Sequence, residues 1–267
     1  MGHRQRIKLA ILRTMLSTDS SLDALTTIPG ILCPTVVFVT TAAFVRSRVL
    51  SHGPLPISST FIKFNNRFYG AVSLWFLFTI LLSRMTMPYS GNTLIWLLPT
   101  DADRRYAYHL SKFYEYIDIL LVLANGGQVA LHFGFHHLTT PVLTYVRVLK
   151  HHKGWELFAT LNALHHVLMY WYFGGIAAFR PILRWTGTLQ LVMGILTEIR
   201  MISVKLADGE VVWPNMIAGL LLACYMILFV REIKMEEAQR EEEKKQEDSS
   251  GISEVPRSPS AEGLKVD

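Results

Sequence analysis

Histidines are the residues in this sequence whose type and spacing best suit chemistry. Seven of the ten histidines lie between positions 132 and 166, and most of them fall in two segments, Leu131–His137 and Asn162–Tyr170. Both segments lie in apolar runs long enough to form membrane helices. Imidazoles are costly to desolvate at bilayer depth, so they usually face a cavity or bundle interior and mark function. A single such histidine would equally suit a structural hydrogen bond between helices, but two clusters predict a site.

A charged stretch precedes the first cluster. On a helix, Lys112, Glu115 and Asp118 share a stripe about 120° wide, so a Lys112–Glu115 pair can form and Asp118 can meet another helix. Two interpretations stay open. The pair neutralises itself near a membrane interface, or one carboxylate orients a histidine on a neighbouring helix and selects its free ring nitrogen.

The second cluster has a helical period. Asn162, His166 and Tyr170 recur every four residues and form one stripe that can line a tunnel. His165 lies about 60° from that stripe, which is typical of a packing or interfacial residue.

The composition sets the protein class. With 51% hydrophobic residues, 18% charged residues and a mean hydropathy of +0.29, the chain fits one polytopic membrane unit. The net charge of +5 does not indicate nucleic-acid binding, because the basic residues lie in short loops between apolar runs. Cys33 and Cys224 lie in apolar segments, which excludes a disulfide framework and a thiolate metal site. The basic segment Met1–Ser17 lacks a signal-peptide pattern.

Seven apolar runs predict an all-α fold with seven transmembrane helices. The runs cover about 28–45, 68–83, 106–124, 129–146, 157–173, 182–199 and 213–230. The expected organisation is a basic N-terminal segment (1–27), a seven-helix membrane domain (28–231) and a charged cytosolic tail (232–267), partly helical and then disordered.

The loop charges predict a topology. Residues 46–67 carry four Lys or Arg residues and no acid, which places this loop in the cytosol and, after seven spans, the C-terminus as well. The basic N-terminus favours the opposite orientation.

Two spaced motifs give the chain a resemblance to a known family. The pattern Lys112-x-x-Glu115-x-x-Asp118 and the pattern Asn162-x-x-x-His166-Val-x-Met-Tyr170 resemble those of the ELO family of very-long-chain fatty acid elongases. A third family motif survives in part: Gln190 matches it, whereas Met193 stands where a second Gln is common. Ile119 replaces the usual Thr after the acidic motif.

The histidine box departs from the family pattern, His-x-x-His-His. Gln128 has the family's spacing to His136 and His137, but His132 stands one residue early. On a regular helix this shift rotates the side chain by about 100°. A one-residue bulge at Gly134 would bring His132 back to the site.

The resemblance implies an acyltransferase, a 3-oxoacyl-CoA synthase that condenses long-chain acyl-CoA with malonyl-CoA through an acyl-imidazole. It also implies an enclosed acyl tunnel, an endoplasmic reticulum location, no cofactor or metal beyond the two substrates, and the reductases and dehydratase of the cycle as partners. The chemistry suits the chain, because a neutral histidine can attack a thioester where no polar thiolate is present.

Roles follow from these matches. We expect His136 to be the nucleophile, His137 to assist in acid-base work or orientation, and His166 to polarise a carbonyl or carboxylate. The expected substrate contacts are Lys112, Glu115, Asp118, Gln128, Asn162, Tyr170 and Gln190.

Two other classes stay open. A membrane di-iron desaturase or hydroxylase also clusters histidines, but it needs about eight ligands, and beyond the first box only the pairs His151-His152 and His165-His166 are at hand. A non-enzymatic seven-helix transporter or receptor would instead use the charged residues as a relay. An intact physiological response of the His136→Ala variant would support this class.

Overall fold

The structure is a computed structural model that describes residues 23–86 and 100–250. Within these residues all regular structure is helical, as predicted. The main helices are α1 (Ile28–His52), α2 (Ser59–Thr86), α3 (Asp101–Tyr114), α4 (Tyr116–Ala124), α5 (Leu131–Thr144), α6 (Trp155–Phe173), α7 (Arg180–Ala207) and α8 (Trp213–Ser250). Short 3₁₀ turns cover Asp23–Thr26 and Ala177–Phe179, and a π-helical segment covers Tyr145–Lys150.

The third predicted span differs from the structure at two places. It begins at Asp101, about five residues before the predicted start, because Thr100 and Asp103 form a capping box. The Thr100 hydroxyl accepts from the Asp103 amide at 3.2 Å, and the Asp103 carboxylate accepts from the Thr100 amide at 3.0 Å. The helix is also interrupted at Glu115, between α3 and α4. The expected loop before this helix includes residues 87–99, which lie outside the described residues.

Pro141 lies inside α5 without ending it. Proline has no amide hydrogen, so the carbonyl one turn earlier loses its helical donor. That carbonyl belongs to His137 and accepts instead from the Thr140 hydroxyl at 3.3 Å. The histidine box therefore sits on continuous α-helix.

Contacts between helix ends show that the helical segments run up and down in turn. At one end, the contacts join Leu55 to Ala124 (2.8 Å), Arg67 to Gly174 (2.8 Å) and Arg184 to Glu236 (3.1 Å). At the other end, they join Arg84 to Glu156 (3.1 Å), Arg105 to Val148 (3.3 Å) and Lys153 to Glu210 (3.1 Å). The alternation agrees with the predicted order of spans. The orientation in a membrane stays a prediction.

Two helices in the described part are long and apolar enough to cross a membrane, Ile28–His52 and Trp213–Gln246. The outer face of α1 is apolar, and Val37 and Phe44 are 64% and 70% exposed. The other five predicted spans are helical, but they are shorter, interrupted or more polar. The seven-helix count and the acyl tunnel therefore stay predictions.

Beyond residue 231, α8 continues without a break to Ser250, so the first part of the expected tail is helical. The disorder predicted for the remainder concerns residues 251–267, and the basic segment concerns mainly residues 1–22. Both lie outside the described residues.

Three apolar clusters hold the described helices together. One joins α2, α3 and α6 around Phe76, Tyr108 and Trp155. Another joins α5, α7 and α8 around Leu143, Leu191, Leu222 and Tyr225. The third joins α1, α4 and α5 around Phe38 and Tyr116. The first two clusters border the polar site described below.

Gly194 of α7 is in close contact with side chains of α6 and α8. An added Cβ there would lie 2.8 Å from Phe158 Cδ2 and 3.2 Å from Leu222 Cδ1. Because these atoms belong to packed side chains, we expect Gly194→Ala to lower the free energy of unfolding by about 1–3 kcal/mol. Denaturant unfolding in detergent measures this.

Gly219→Ala is the matched control. Its nearest neighbour to an added Cβ is Glu198 Cβ at 3.8 Å, an ordinary contact. Alanine also has the higher helix propensity, so this variant should be neutral or more stable by up to about 1 kcal/mol. Equal losses in both variants would contradict the packing argument.

Candidate active site

Glu115, at the break between α3 and α4, is the most buried charged group of the site, with 0% exposure. Its Oε1 accepts from Lys112 Nζ at 2.6 Å and from the Tyr69 hydroxyl at 2.8 Å. The Lys112–Glu115 pair predicted from their spacing is therefore present. Because Lys112 is also buried, the two charges depend on each other for neutralisation.

Asn162 of α6 connects three helices through its amide. Its Oδ1 accepts from the Tyr108 hydroxyl at 2.6 Å and from Lys112 Nζ at 3.2 Å. Its Nδ2 donates to Gln190 Oε1 at 3.2 Å. The residues expected on α3, α6 and α7 thus meet in one buried network.

The same network sets the tautomer of His166. Its Nε2 lies 3.3 Å from Asn162 Nδ2, which can only donate, so Nε2 is the acceptor. The proton then resides on Nδ1, which lies 3.4 Å from Glu115 Oε1. A carboxylate therefore orients a histidine on a neighbouring helix, as the second interpretation of the charged stretch requires.

Asp118 has a different partner. It accepts a short hydrogen bond from the Tyr170 hydroxyl, and the Tyr170 ring stands edge-on to Tyr69 with centroids 4.6 Å apart. Asp118 thus meets another helix, as expected, and anchors the end of the Asn162, His166 and Tyr170 stripe.

The two adjacent histidines of α5 face different neighbours. His137 directs Nδ1 towards Glu115 Oε2 at 3.8 Å. The ring of His136 packs edge-on to Tyr225 of α8, with centroids 4.8 Å apart. In the described part of the chain, Nδ1 of each histidine and Glu115 Oε2 are buried without a hydrogen-bond partner. Such atoms are uncommon, and here they offer bonding positions to a reactant.

The bulge hypothesis for His132 is wrong. α5 is regular from Leu131, and the Gly134 amide bonds to the Ala130 carbonyl at 2.9 Å. His132 instead lies one turn before His136, with ring centroids 5.9 Å apart, and its Nδ1 lies 3.6 Å from Glu232 Oε2 of α8.

Two further residues lie apart from the network. Gln128 is exposed in the connection between α4 and α5, so the structure does not bring this expected substrate contact to the site. His165 contacts the Thr186 hydroxyl at 2.9 Å and joins α6 to α7, which agrees with a packing role.

Sequence reasoning missed three tyrosines of the site, Tyr69, Tyr108 and Tyr225. Tyr108 carried a signal, because it lies four residues before Lys112 and shares its helix face. Tyr69 and Tyr225 carried none, since an aromatic residue in an apolar run suits core and interface equally.

A metal ion at this site would compete with Lys112 for Glu115. Glu115, His136 and His166 offer ligand atoms within 4.8 Å of one another. Tetrahedral zinc ligands lie roughly 3.3 Å apart at ordinary bond lengths, and here Lys112 already supplies a positive charge to the carboxylate. His151 packs on Trp213 at the opposite end, so the described residues do not bring that histidine pair to the site as a di-iron enzyme requires.

Comparison with protein families assigns the chain. The model of the ELO: GNS1/SUR4 family matches residues 24–236, which include every site residue above. The chain belongs to this family. The matched range agrees with the resemblance inferred from the two motifs.

Individual curated relatives are similar over shorter segments. Fatty acid elongase 2 of Trypanosoma cruzi (strain CL Brener) is 30% identical over 95 residues, covering 33% of this chain and 34% of the relative. Very long chain fatty acid elongase 5 of Rattus norvegicus is 31% identical over 115 residues (40% and 36%), and that of Tachysurus fulvidraco is 34% identical over 115 residues (40% and 37%). The matched segments span about a third of these relatives' length. No solved structure gives a significant match.

Proposed function

We propose that this ELO protein is a fatty acid elongase that condenses a long-chain acyl-CoA with malonyl-CoA to give 3-ketoacyl-CoA, CoA and carbon dioxide. The observation that carries the proposal is the position of His136 beside a second imidazole, His166, whose tautomer Asn162 and Glu115 determine. The relatives' names support the same reaction class.

The first half-reaction transfers the acyl group to His136. The unprotonated ring nitrogen attacks the thioester carbon, the carbon–sulfur bond breaks, and the leaving thiolate takes the proton that the imidazole loses. Lys112 supplies positive charge next to the developing oxyanion, in a site where few waters screen it. His137 assists proton transfer on the side that faces Glu115.

The second half-reaction forms the carbon–carbon bond. Malonyl-CoA loses carbon dioxide, the resulting carbanion attacks the acyl carbon, and the carbon–nitrogen bond to His136 breaks. Lys112, which also donates to Asn162, supplies positive charge to the malonyl carboxylate until it leaves as carbon dioxide. His136 takes up one proton and returns to its neutral form.

The wider setting is also a proposal. We place the protein in the endoplasmic reticulum membrane with a cytosolic C-terminus, and we expect seven transmembrane helices to enclose an acyl tunnel. No cofactor is required beyond the two substrates. The reductases and dehydratase of the elongation cycle are the expected partners.

Labelled malonyl-CoA tests the function. We expect the purified protein in detergent to incorporate the label into 3-ketoacyl products from at least one member of a ladder of acyl-CoAs. No ketoacyl product at any chain length would contradict the proposal. Stoichiometric bound iron would then favour the di-iron class, and its absence would favour the non-enzymatic one.

A further inference from the structure

The proposed reaction consumes one proton in each turnover. Acyl transfer to His136 is balanced, because the proton lost by the imidazole goes to the CoA thiolate. The condensation step is not balanced, because malonyl-CoA leaves its negative charge behind when carbon dioxide departs. One proton from water must therefore reach His136 before the next cycle.

Most titratable neighbours of His136 are too buried to collect that proton. The titratable groups near His136 or His132 include Lys112 of α3, Glu115 after it, His137 of α5, and His165 and His166 of α6. They are 3%, 0%, 3%, 9% and 5% exposed, in that order. Their burial makes each of them a poor entry point for a proton from water.

His132 and Glu232 differ in this respect. Their side chains are 21% and 25% exposed, and His132 Nδ1 lies 3.6 Å from Glu232 Oε2. Glu232 lies on α8 just before the charged, exposed part of this helix. Because the predicted seventh span ends at residue 230, we expect this pair to lie at the water-facing end of the bundle.

The same pair borders the nucleophile. His132 lies one turn before His136 on α5, with ring centroids 5.9 Å apart, and His136 Nδ1 is buried without a partner in the described residues. One water molecule between the two rings, or a rotation of either ring, connects His132 to His136 by hydrogen bonds. Phe229 of α8 packs on the His132 ring, with centroids 5.3 Å apart.

We propose that Glu232 and His132 form the proton inlet of the site, passing one proton per turnover from water to His136. The inference rests on the proposed condensation. It gives the displaced histidine a role of its own: His132 acts on the reaction through His136 and is a positioning and relay residue.

The experiment separates the two half-reactions in His132→Gln and Glu232→Gln. With acyl-CoA alone, the burst of CoA release needs no external proton and should equal that of the wild type. With malonyl-CoA added, we expect steady-state turnover to fall about tenfold with little change in KM. This loss is smaller than the loss of a complete acid-base catalyst, because water still supplies protons slowly to His136. The loss should deepen as the pH rises, since fewer protons are available.

Two further variants make the test specific. Glu232→Asp keeps the carboxylate and should recover much of the turnover. Glu236→Gln removes a carboxylate one turn along α8, where it pairs with Arg184 at 3.1 Å, and should leave turnover unchanged.

The outcomes discriminate between the two proposals. Equal losses of burst and turnover, or turnover with an unaltered pH profile, would show a structural role and overturn the inlet. Wild-type protein with neither CoA burst nor ketoacyl product would overturn the condensation itself, and the inlet with it.

Discussion

Replacing His136 by alanine is expected to abolish 3-ketoacyl-CoA formation, with a loss of roughly 10³-fold or more, because the covalent intermediate cannot form. Among the histidines of the box, His136 is the one with a ring nitrogen within 4.8 Å of a ring nitrogen of His166 and a carboxylate oxygen of Glu115. Its neighbour His137 faces Glu115 Oε2 at 3.8 Å and is placed to assist it. Incorporation of labelled malonyl-CoA measures the loss.

The intermediate provides a second readout for the same variant. Wild-type protein mixed with acyl-CoA, without malonyl-CoA, should carry an acyl group on the His136 peptide in mass spectrometry. His165→Ala is the matched control, since His165 contacts Thr186 between α6 and α7 and should retain both adduct and activity. An adduct on another residue, or a turnover that survives His136→Ala, would disprove the assignment.

Among the single substitutions proposed for this protein, Glu115→Gln should lower the free energy of unfolding the most. The carboxylate is fully buried and bonds to Lys112 at 2.6 Å and to Tyr69 at 2.8 Å. Removing its charge leaves the buried ammonium of Lys112 uncompensated, and such changes cost about 3–5 kcal/mol. We expect that drop in the free energy of unfolding in detergent, together with loss of condensation, because His166 loses its carboxylate acceptor.

Two comparisons separate stability from catalysis. Glu156→Gln breaks the Arg84–Glu156 pair, whose side chains are 63% and 30% exposed, and should change stability by no more than about 1 kcal/mol. The double variant Lys112→Met with Glu115→Gln removes both charges, so it should regain stability but not activity. A double variant as unstable as the single one would show that the ion pair is not the cause.

The spacing of residues alone predicted which side chains are neighbours within one helix. The Lys112–Glu115 pair and the Asn162, His166 and Tyr170 stripe follow from the 3.6-residue period, which sets side-chain neighbours within one helix wherever that helix packs. The helical class followed from the apolar runs, and the family followed from the two spaced motifs.

The sequence did not predict contacts between helices, because these depend on how each helix is rotated and how far it is shifted against its neighbours. Packing selected Tyr69 as a donor to Glu115, from a position 46 residues away. It also directed His132 towards Glu232 of α8, which lies 100 residues further along the sequence.

The sequence by itself therefore determined the helices, the family and most of the residues that can do chemistry. Only the tertiary structure decided which of those residues meet. It left Gln128 outside the site, placed Tyr225 against His136 and interrupted the third span at Glu115. The physical reason is that helical periodicity acts over a few residues, whereas burial and hydrogen bonding between helices are satisfied by the whole packed chain.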